Sequence, residues 1–358
     1  MTDPVLIVGG YGIVGTQLAE IVRQEQPELG IILAGRSLDS ANTAAKGLSN
    51  TTGAAIDMMD ADPLASLKQP VSAIIAVAND PQDNLLRSAI NRSLPYIDIT
   101  RWTARLNAAI HKTSVLELNA PVSLASSWMA GVSTIVTKAL VAKLASVDTI
   151  DTSILFRLAD KAGPNSIEYA DRLSIPFRVW KNNKWKKAAP FSDPAVVQFP
   201  SGYEGKAYRF DEPSQESLSV YFNAKSVSSR IGYDSPSTNG TMSFLVNSGL
   251  WKLISGNAFT KFRHSLLYSP GEGAAHEIVI SVTGLGKDGD AKSERASILD
   301  PLGQTHLTAL GAYAQLQETL GLSGRPARSP GVYLPENHSD PDDFIALLGE
   351  HGVQIVLE

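Results

Sequence analysis

The stretch that decides the fold is Val5–Gly15, which reads VLIVGGYGIVG. Its first four residues are apolar and mostly β-branched, a composition typical of a strand buried on both faces of a parallel sheet. The segment from Gly10 to Gly15 matches the pattern G-x-G-x-x-G, and a helical stripe of apolar residues begins at Val14. A strand, a glycine-rich turn and an amphipathic helix in this order predict the dinucleotide-binding turn of a Rossmann fold.

The three glycines of the pattern have separate steric purposes. Gly10 permits a tight turn, Gly12 lets a pyrophosphate approach the backbone, and Gly15 lets the helix pack closely on the strand. Backbone N–H groups and the helix dipole would then stabilise the phosphates. The alternative is an ordinary strand-to-helix turn that binds no ligand. The residues predicted to bind the cofactor here are Gly10, Tyr11, Gly12, Ile13, Val14 and Gly15.

Beyond the glycine turn, short apolar strands alternate with helical stretches up to about residue 145. Six such strands predict a doubly wound α/β sheet that is mostly parallel. The alternation of strands and helices ends near Val147, and beyond it predicted strands follow one another in pairs. Ile175–Trp180 and Trp185–Ala188, for example, flank four polar residues, which predicts a hairpin. Ser217–Ala224 is also predicted to be a strand.

These patterns divide the chain into two predicted domains. Residues 1–145, together with about 325–358, are expected to form the Rossmann domain, because a helix-strand pattern returns after Asp340. Residues 146–324 are expected to form an inserted α+β domain on a mainly antiparallel sheet.

The end of the second predicted strand decides between the two nicotinamide cofactors. An NAD-binding domain usually has an acidic residue about 20 positions beyond the glycines, where it accepts hydrogen bonds from the ribose. Arg36 and Ser37 take that position here. A guanidinium and a hydroxyl suit a 2′-phosphate, so NADP(H) is favoured over NAD(H). The alternative is a solvated arginine at a strand end, and the nearby Asp39 would weaken the preference.

Four further positions are predicted to border the cofactor. Asp57 ends the third strand, where it either contacts the adenine or only forms a turn. Val77, Ala78 and Asn79 end the fourth strand, where the chain passes the cofactor, and Asn79 is a candidate ribose contact.

Composition excludes several classes of protein. The 358 residues carry 31 basic and 36 acidic side chains, a net charge of −5, so the chain as a whole is not predicted to bind nucleic acid. The absence of cysteine excludes disulfides, thiolate metal sites and thiol nucleophiles. The six scattered histidines lack metal-ligand spacing, so no metal site is predicted. Without an apolar membrane span or a signal peptide, a cytoplasmic protein with no membrane partner is expected.

Four segments resemble the saccharopine dehydrogenase-like oxidoreductases. They are Val5–Gly15, Ala34–Ser37, Tyr96–Thr100 and the tail Ser329–Glu336. The resemblance implies a Rossmann domain with an inserted, sheet-rich domain for catalysis and dimerisation, and hence a homodimer. It also implies NAD(P)-dependent chemistry, often at the C–N bond of a secondary amine, on an amino-acid-derived small molecule. Relatives often have Gly-Glu after the Asp-x-Thr segment, whereas Arg101-Trp102 follows it here.

A substrate of this class needs cations for its carboxylates and a dry surface beside the nicotinamide. Arg101 follows the fifth strand, where ligands of open sheets collect, so it is a candidate carboxylate ligand or else a surface salt bridge. Tyr169 and Arg172 of the inserted domain could donate to a developing charge and bind a carboxylate, and a solvated loop is the alternative. The residues predicted to line the substrate pocket are Thr100, Trp102, Ser127, Trp128 and Met129.

Two functions from different classes therefore stay open. The first is an NADP(H)-dependent oxidoreductase that transfers a hydride to or from an imine, a secondary amine or a carbonyl group. The second is a non-enzymatic sensor that binds NADP(H), which the lack of an obvious acid–base pair and the Arg101-Trp102 step both favour.

Overall fold

The computed structural model describes residues 3–161, 171–256, 259–260 and 271–358. The chain divides into two compact units. The first contains Met1–Val132 and Thr308–Ser339, and the second contains Ser133–Leu307 and Asp340–Glu358. Among the described helices, none is long and apolar enough to cross a membrane.

The first unit is built on one sheet of seven strands. They are β1 (Val5–Val8), β2 (Ile31–Gly35), β3 (Thr51–Ala55), β4 (Ala73–Ala76), β5 (Tyr96–Asp98), β6 (Pro121–Leu124) and β15 (Gly331–Tyr333). Their order is β15-β6-β5-β4-β1-β2-β3, and every neighbouring pair is parallel. All residues of β1 and β4 are buried, as in strands covered on both faces. This confirms the predicted Rossmann-type parallel sheet.

The order of the strands places the glycine turn at a crevice. The helices that connect them are α1 (Ile13–Glu25), α2 (Leu38–Ala45), α3 (Asn84–Asn91) and α4 (Thr103–Ser114). The chain adds β2 and β3 on one side of β1 and then returns to add β4 on the other side. Where the strand order reverses in this way, a crevice opens beyond the carboxyl ends of the strands, and the glycine turn directly follows β1 there.

The second unit contains a further sheet of seven strands. They are β7 (Leu144–Phe156), β10 (Ala195–Gln198), β11 (Glu204–Arg209), β12 (Ser226–Tyr233), β13 (His276–Gly286), β14 (Ala291–Asp300) and β16 (Gln354–Leu357). Their order is β10-β11-β12-β7-β13-β14-β16, and the described pairs are antiparallel except for β12 and β7. This confirms the mainly antiparallel sheet predicted for the inserted domain.

Six further α-helices lie in the described part of the chain. They are α5 (Val132–Val141), α6 (Ser214–Tyr221), α7 (Pro236–Asn247), α8 (Leu250–Leu253), α9 (Gln304–Leu320) and α10 (Pro341–Glu350). Helix α9 passes from the second unit into the first at Thr308.

The predicted hairpin is confirmed. Strands β8 (Phe177–Trp180) and β9 (Trp185–Ala188) pair antiparallel. Asn182 and Asn183 between them have φ of 53° and 59°. Left-handed residues at both central positions give the turn a twist that matches the twist of the two strands.

Two predictions about the second unit are wrong. Ser217–Ala224 was predicted as a strand, but it begins inside helix α6, whose buried residues Ser214, Leu218 and Ser219 follow helical spacing. The segment after Asp340 was assigned to the Rossmann domain, but β16 pairs with β14 of the second sheet. Its edge position explains the difference, because β16 covers the backbone groups that β14 would otherwise leave unpaired.

Candidate functional site

The left-handed residue of the glycine turn is Gly9, with φ of +89°, rather than Gly10. A Cβ atom on Gly9 would lie 2.8 Å from the Cβ atom of Ala78, so the turn lies directly against the end of β4. A Cβ atom on Gly10 would lie 2.7 Å from the carbonyl oxygen of Ile7 and 2.9 Å from the Cα atom of Leu33. The turn therefore depends on Gly9, and Gly10 is needed for close packing on β2.

Gly15 and Gly12 have opposite surroundings. A Cβ atom on Gly15 would lie 2.5 Å from the carbonyl oxygen of Gly9, which agrees with the predicted close packing of helix and strand. A Cβ atom on Gly12 would meet only that same oxygen within 4 Å, at 3.2 Å, among the described residues. Gly12 is also the N-cap of α1 and provides no side-chain cap for the N–H groups of Ile13 and Val14. This open, positive helix end fits a pyrophosphate.

Tyr11 connects the glycine turn to the end of β2. A Cβ atom on Gly35 would lie 2.5 Å from Cε1 of Tyr11, so the phenol ring packs directly against this backbone. The N–H of Ser37 donates to the Tyr11 hydroxyl at 3.4 Å. The Ser37 hydroxyl is the N-cap of α2 and accepts the N–H of Ser40 at 3.2 Å. Arg36 is exposed, and no hydrogen bond or ion pair within the described residues engages its guanidinium.

A hollow beside Tyr11 is lined by Asp39, Ser40, Thr43 and Ala44. It lies next to the two residues on which the cofactor prediction depends. The Asp39 carboxylate borders this hollow, so it is the group that would oppose a 2′-phosphate there.

The residues at the ends of β3 and β4 already have protein partners. The Asp57 carboxylate accepts the N–H of Met59 at 2.9 Å, so Asp57 forms a turn, which is one of the two roles predicted for it. Val77 and Ala78 lie against Gly9 of the glycine turn. The amide oxygen of Asn79 accepts a hydrogen bond from Nη1 of Arg105.

The turn after β4 is fixed by two buried carboxylates. Asp80 accepts the backbone N–H groups of Asn84, Leu85 and Leu86 at 3.0 to 3.2 Å, and burial raises the pKa of its carboxyl group. Asp83 has a left-handed backbone, with φ of 57°. Together they hold the segment that follows Asn79 in a single conformation.

The side chain of Arg101 is fully buried rather than exposed at the sheet edge. Its Nε donates to Asp98 at 2.8 Å, and its Nη1 donates to Asp83 at 2.6 Å. The hydroxyl groups of Tyr96 and Thr100 also donate to Asp98, at 3.0 and 2.8 Å. The predicted surface salt bridge of Arg101 is therefore wrong, because its partners Asp98 and Asp83 are buried with it. Its role as a ligand of a substrate carboxylate stays a prediction.

Asp83 is the centre of a network that the sequence analysis missed. It accepts hydrogen bonds from Arg101, Arg105 and Lys112. Burial alone would raise the pKa of Asp83, but the hydrogen bonds and charges of Lys112 and Arg101 lower that pKa to about 2. The signal in the sequence was the seven-residue spacing of Arg105 and Lys112, which puts both cations on one face of α4.

The residues predicted to line a substrate pocket follow two neighbouring strands. They are Thr100 and Trp102 after β5, and Ser127, Trp128 and Met129 after β6. Because β5 and β6 pair in parallel, the structure brings these segments to the same edge of the sheet. The Trp102 ring lies 5.3 Å from the guanidinium carbon of Arg105, and the Met129 sulfur accepts the Thr308 hydroxyl at 3.0 Å.

Of the two candidate residues of the inserted domain, Arg172 lies within the described residues. Tyr169 lies outside the described residues. Arg172 is in the second unit and forms an ion pair with Asp211.

Three solved structures resemble this chain along nearly its whole length. Apo saccharopine dehydrogenase (L-Glu forming) from Saccharomyces cerevisiae matches with a TM-score of 0.70 at 11% identity, covering 99% of this chain and 100% of that chain. A meso-dapdh variant with DAP from Clostridium tetani has a TM-score of 0.47 at 11% identity, covering 97% and 100%. A myo-inositol dehydrogenase from Corynebacterium glutamicum has a TM-score of 0.41 at 11% identity, covering 100% and 99%.

The first of these similarities defines the fold. The chain has the two-part fold of saccharopine dehydrogenase, a parallel Rossmann sheet joined to a mainly antiparallel sheet. No protein-family model matches the chain, and no curated protein matches it.

Proposed function

We propose that the protein is an oxidoreductase that binds NADP(H) in preference to NAD(H). The surroundings of Gly12 carry this proposal. Its neighbours Gly9, Gly10 and Gly15 are closely packed, but the space beside Gly12 is open at the positive end of α1. A strand-to-helix turn that binds no ligand does not need this open space, whereas the pyrophosphate of a dinucleotide does.

The preference for NADP(H) rests on the end of β2. Arg36 is exposed at the position where an NAD-binding domain usually has a carboxylate, so its guanidinium is available for the 2′-phosphate. Ser37 contributes less than the sequence suggests, because its hydroxyl already caps α2. Asp39 opposes the preference only in part, since it lies beyond the cap, inside the first turn of the helix.

The proposed reaction is hydride transfer to or from an imine, a secondary amine or a carbonyl group of an amino-acid-derived substrate. The bound cofactor supplies the hydride donor or acceptor. The chain's own contribution begins with the N–H groups of Ile13 and Val14, which would bind the phosphates. Arg105 orients the Asn79 amide beside the crevice, and the segments with Trp102 and Trp128 would exclude water. The resemblance also favours a homodimer, which sedimentation equilibrium measures.

A sensor that binds NADP(H) without catalysis is the second candidate. The burial of Arg101 supports it, because Asp98 and Asp83 already neutralise the cation that was predicted to bind a substrate carboxylate in the first unit. Activity would distinguish the two. A panel of amines, keto acid and amine mixtures, and carbonyl compounds is incubated with NADPH or NADP⁺, and the nicotinamide absorbance is followed. Turnover of any member supports the enzyme, and cofactor binding without turnover supports the sensor.

Cofactor binding itself is tested with two glycine variants. Gly12→Val places a side chain in the space of the pyrophosphate, and its φ of −79° accepts any residue, so the fold should persist. Gly47→Val is the matched control, since a Cβ atom there would meet nothing within 4 Å. The thermal shift caused by NADPH should vanish in Gly12→Val and stay unchanged in Gly47→Val. An unchanged shift in both variants would show that the glycine turn does not bind the cofactor.

A further inference from the structure

Two arginines of the second unit lie directly opposite each other across a pair of strands. Arg209 of β11 and Arg230 of β12 are partners in the antiparallel register. Their side chains are largely buried, with exposed fractions of 7% and 12%. Like charges in this arrangement repel each other. Burial lowers the pKa of Arg209, and the neighbouring Arg230 lowers it further. The pair is therefore stable only with an anion beside it.

One carboxylate oxygen provides most of that compensation. Oδ2 of Asp193 lies 2.9 Å from Nη2 of Arg209 and 3.3 Å from Nη2 of Arg230, and it also accepts from Nε of Arg209 at 3.0 Å. Nη1 of Arg230 donates to Asp151 at 3.2 Å and to the Ser228 hydroxyl at 2.5 Å. Arg209 thus offers two N–H donors and Arg230 offers a third to the same oxygen, and guanidinium groups are well suited to bind carboxylates.

Several positive charges act on the Asp193 carboxylate. The positive charge of Lys181 also acts on Asp193, in addition to the charges of the two arginines. By contact, Arg209 and Arg230 both pair with Asp193, and Arg230 also pairs with Asp151. Positive charge concentrated on one carboxylate favours a replacement anion at the same position.

Asp193 reaches the arginines from the solvent side. Its side chain is 54% exposed, whereas the arginines beneath it are nearly covered. Its backbone is left-handed, with φ of 46°, and so is that of Phe191, with φ of 53°. Aspartate and asparagine adopt this conformation more readily than most residues, and glycine adopts it without steric cost. The ring of Phe191 stacks on Tyr208 and Tyr233, so the loop is anchored at Phe191 while Asp193 lies at its exposed end.

We propose that Arg209 and Arg230 form a binding site for a small carboxylate, which Asp193 fills as an exchangeable internal ligand. An external carboxylate binds when the exposed Asp193 side chain turns outward into solvent. All of these residues belong to the second unit, so the site does not depend on the proposed cofactor or reaction. Asp193 itself indicates a carboxylate as the ligand, since its Oδ2 marks the position at which both arginines converge.

Chemical complementation tests this proposal directly. Asp193→Gly removes a CH₂COO⁻ group, the fragment that acetate restores, and glycine accepts the left-handed backbone without strain. The full-length parent, Asp193→Gly and Asp193→Gly/Arg209→Gln are melted in sodium acetate, sodium phosphate and sodium chloride at equal ionic strength. Asp193→Asn provides a second variant that keeps the side-chain size and tolerates the same backbone. Asp62→Gly is the matched control, because it removes the same group from the exposed ion pair with Arg92.

The proposal predicts an order of responses. Acetate raises the melting temperature of Asp193→Gly saturably above its value in chloride, and the parent responds in the same way at about tenfold higher acetate, because its tethered carboxylate competes. The double variant responds to acetate no more than to chloride, and Asp62→Gly responds only as the parent does. A parent that responds no more than the double variant overturns the proposal, since Asp193 is then not exchangeable. A response of Asp193→Gly to phosphate but not to acetate also overturns it, because the ligand class is then wrong.

Discussion

The guanidinium of Arg36 is the group on which cofactor choice depends. A charge-assisted hydrogen bond to the 2′-phosphate contributes about 1.5–3 kcal/mol, which corresponds to roughly tenfold to a hundredfold in affinity. Arg36→Ala should therefore weaken NADPH binding by about that factor and change NADH binding little. Arg36→Asp should weaken NADPH further and improve NADH, because a carboxylate repels the phosphate and accepts from the ribose hydroxyl groups. Isothermal titration with both cofactors measures these changes.

A charge-matched control separates a direct contact from a general field effect. Lys68→Ala removes another exposed positive charge from the first unit and should leave both affinities unchanged. Equal losses of NADPH and NADH affinity in Arg36→Ala would mean that the arginine only stacks on the adenine. The preference for NADP(H) would then lose its support.

Asp83 should make the free energy of unfolding decrease at low pH. Its pKa is about 2 in the folded chain, and an unfolded aspartate has a pKa of about 4. The lowered pKa stabilises the fold above pH 4, and this contribution is lost as the pH falls from about 4 to 2. Asp83→Asn should reduce the free energy of unfolding at neutral pH by about 3 kcal/mol, because Arg101 stays buried with one partner fewer. It should also flatten the pH dependence between pH 4 and 2.

Urea unfolding at several pH values measures both effects. Asparagine tolerates the left-handed backbone of residue 83, so the loss reports the charge rather than strain. Asp62→Asn, in an exposed ion pair with Arg92, is expected to change little at any pH. A loss for Asp83→Asn no larger than that for Asp62→Asn would show that the buried network does not stabilise the fold.

At the scale of single elements, the first sheet could be predicted because each strand carries its own signal. The short apolar runs of β1 and β4, bounded by glycine or polar residues, are typical of strands buried on both faces. Helix α6 could not be predicted in this way, because Ser217–Ala224 alternates over a few residues, and only packing decides its state. The glycine turn was found from its pattern, but the backbone conformation that singles out Gly9 depends on the contact with Ala78.

For the charged residues of the site, the sequence likewise predicts the position along the chain but not the contacts. The position of Arg101 after β5 was predictable from the sequence. The burial of Arg101 was not predictable, because it depends on both of its carboxylate partners. Asp98 is three residues away in the sequence, but Asp83 is eighteen residues away and comes from another element. Contacts between distant elements leave no periodic signal in one sequence.

Substitution of two helical glycines by alanine should change the stability of the protein in opposite directions. Alanine stabilises a helix interior by about 0.5–1 kcal/mol relative to glycine. Gly240→Ala in α7 should show this gain, since its Cβ atom would meet nothing within 4 Å. Gly311→Ala in α9 should instead destabilise, because its Cβ atom would lie 2.2 Å from the carbonyl oxygen of Met129. Thermal unfolding of the two variants decides, and a gain in both would show that α9 does not pack closely on that turn.

At the scale of the whole molecule, the predicted domain boundaries failed where the chain crosses between units. The tail was predicted to return to the first sheet, and β15 does pair with β6. The helix-strand pattern that follows, α10 and β16, is indistinguishable in sequence from another Rossmann unit. The pairing of β16 with β14 assigns this segment to the second unit. Which strands pair is settled only when the sheet assembles, so the sequence pattern does not show it.

Removal of the last segment tests this division of the chain. A variant that ends at Ser339 lacks α10 and β16, so β14 has an open edge, and the apolar surface that Phe344 and Leu348 bury is lost. Hydrogen exchange should increase in β13 and β14 and stay unchanged in β1, β2 and β4, and the thermal shift with NADPH should persist. Phe344→Ala in the full-length chain should give a weaker form of the same pattern, with a loss of about 3–5 kcal/mol confined to the second unit. Increased exchange in β1 and β4 in either variant would return this segment to the first unit, as the sequence alone suggested.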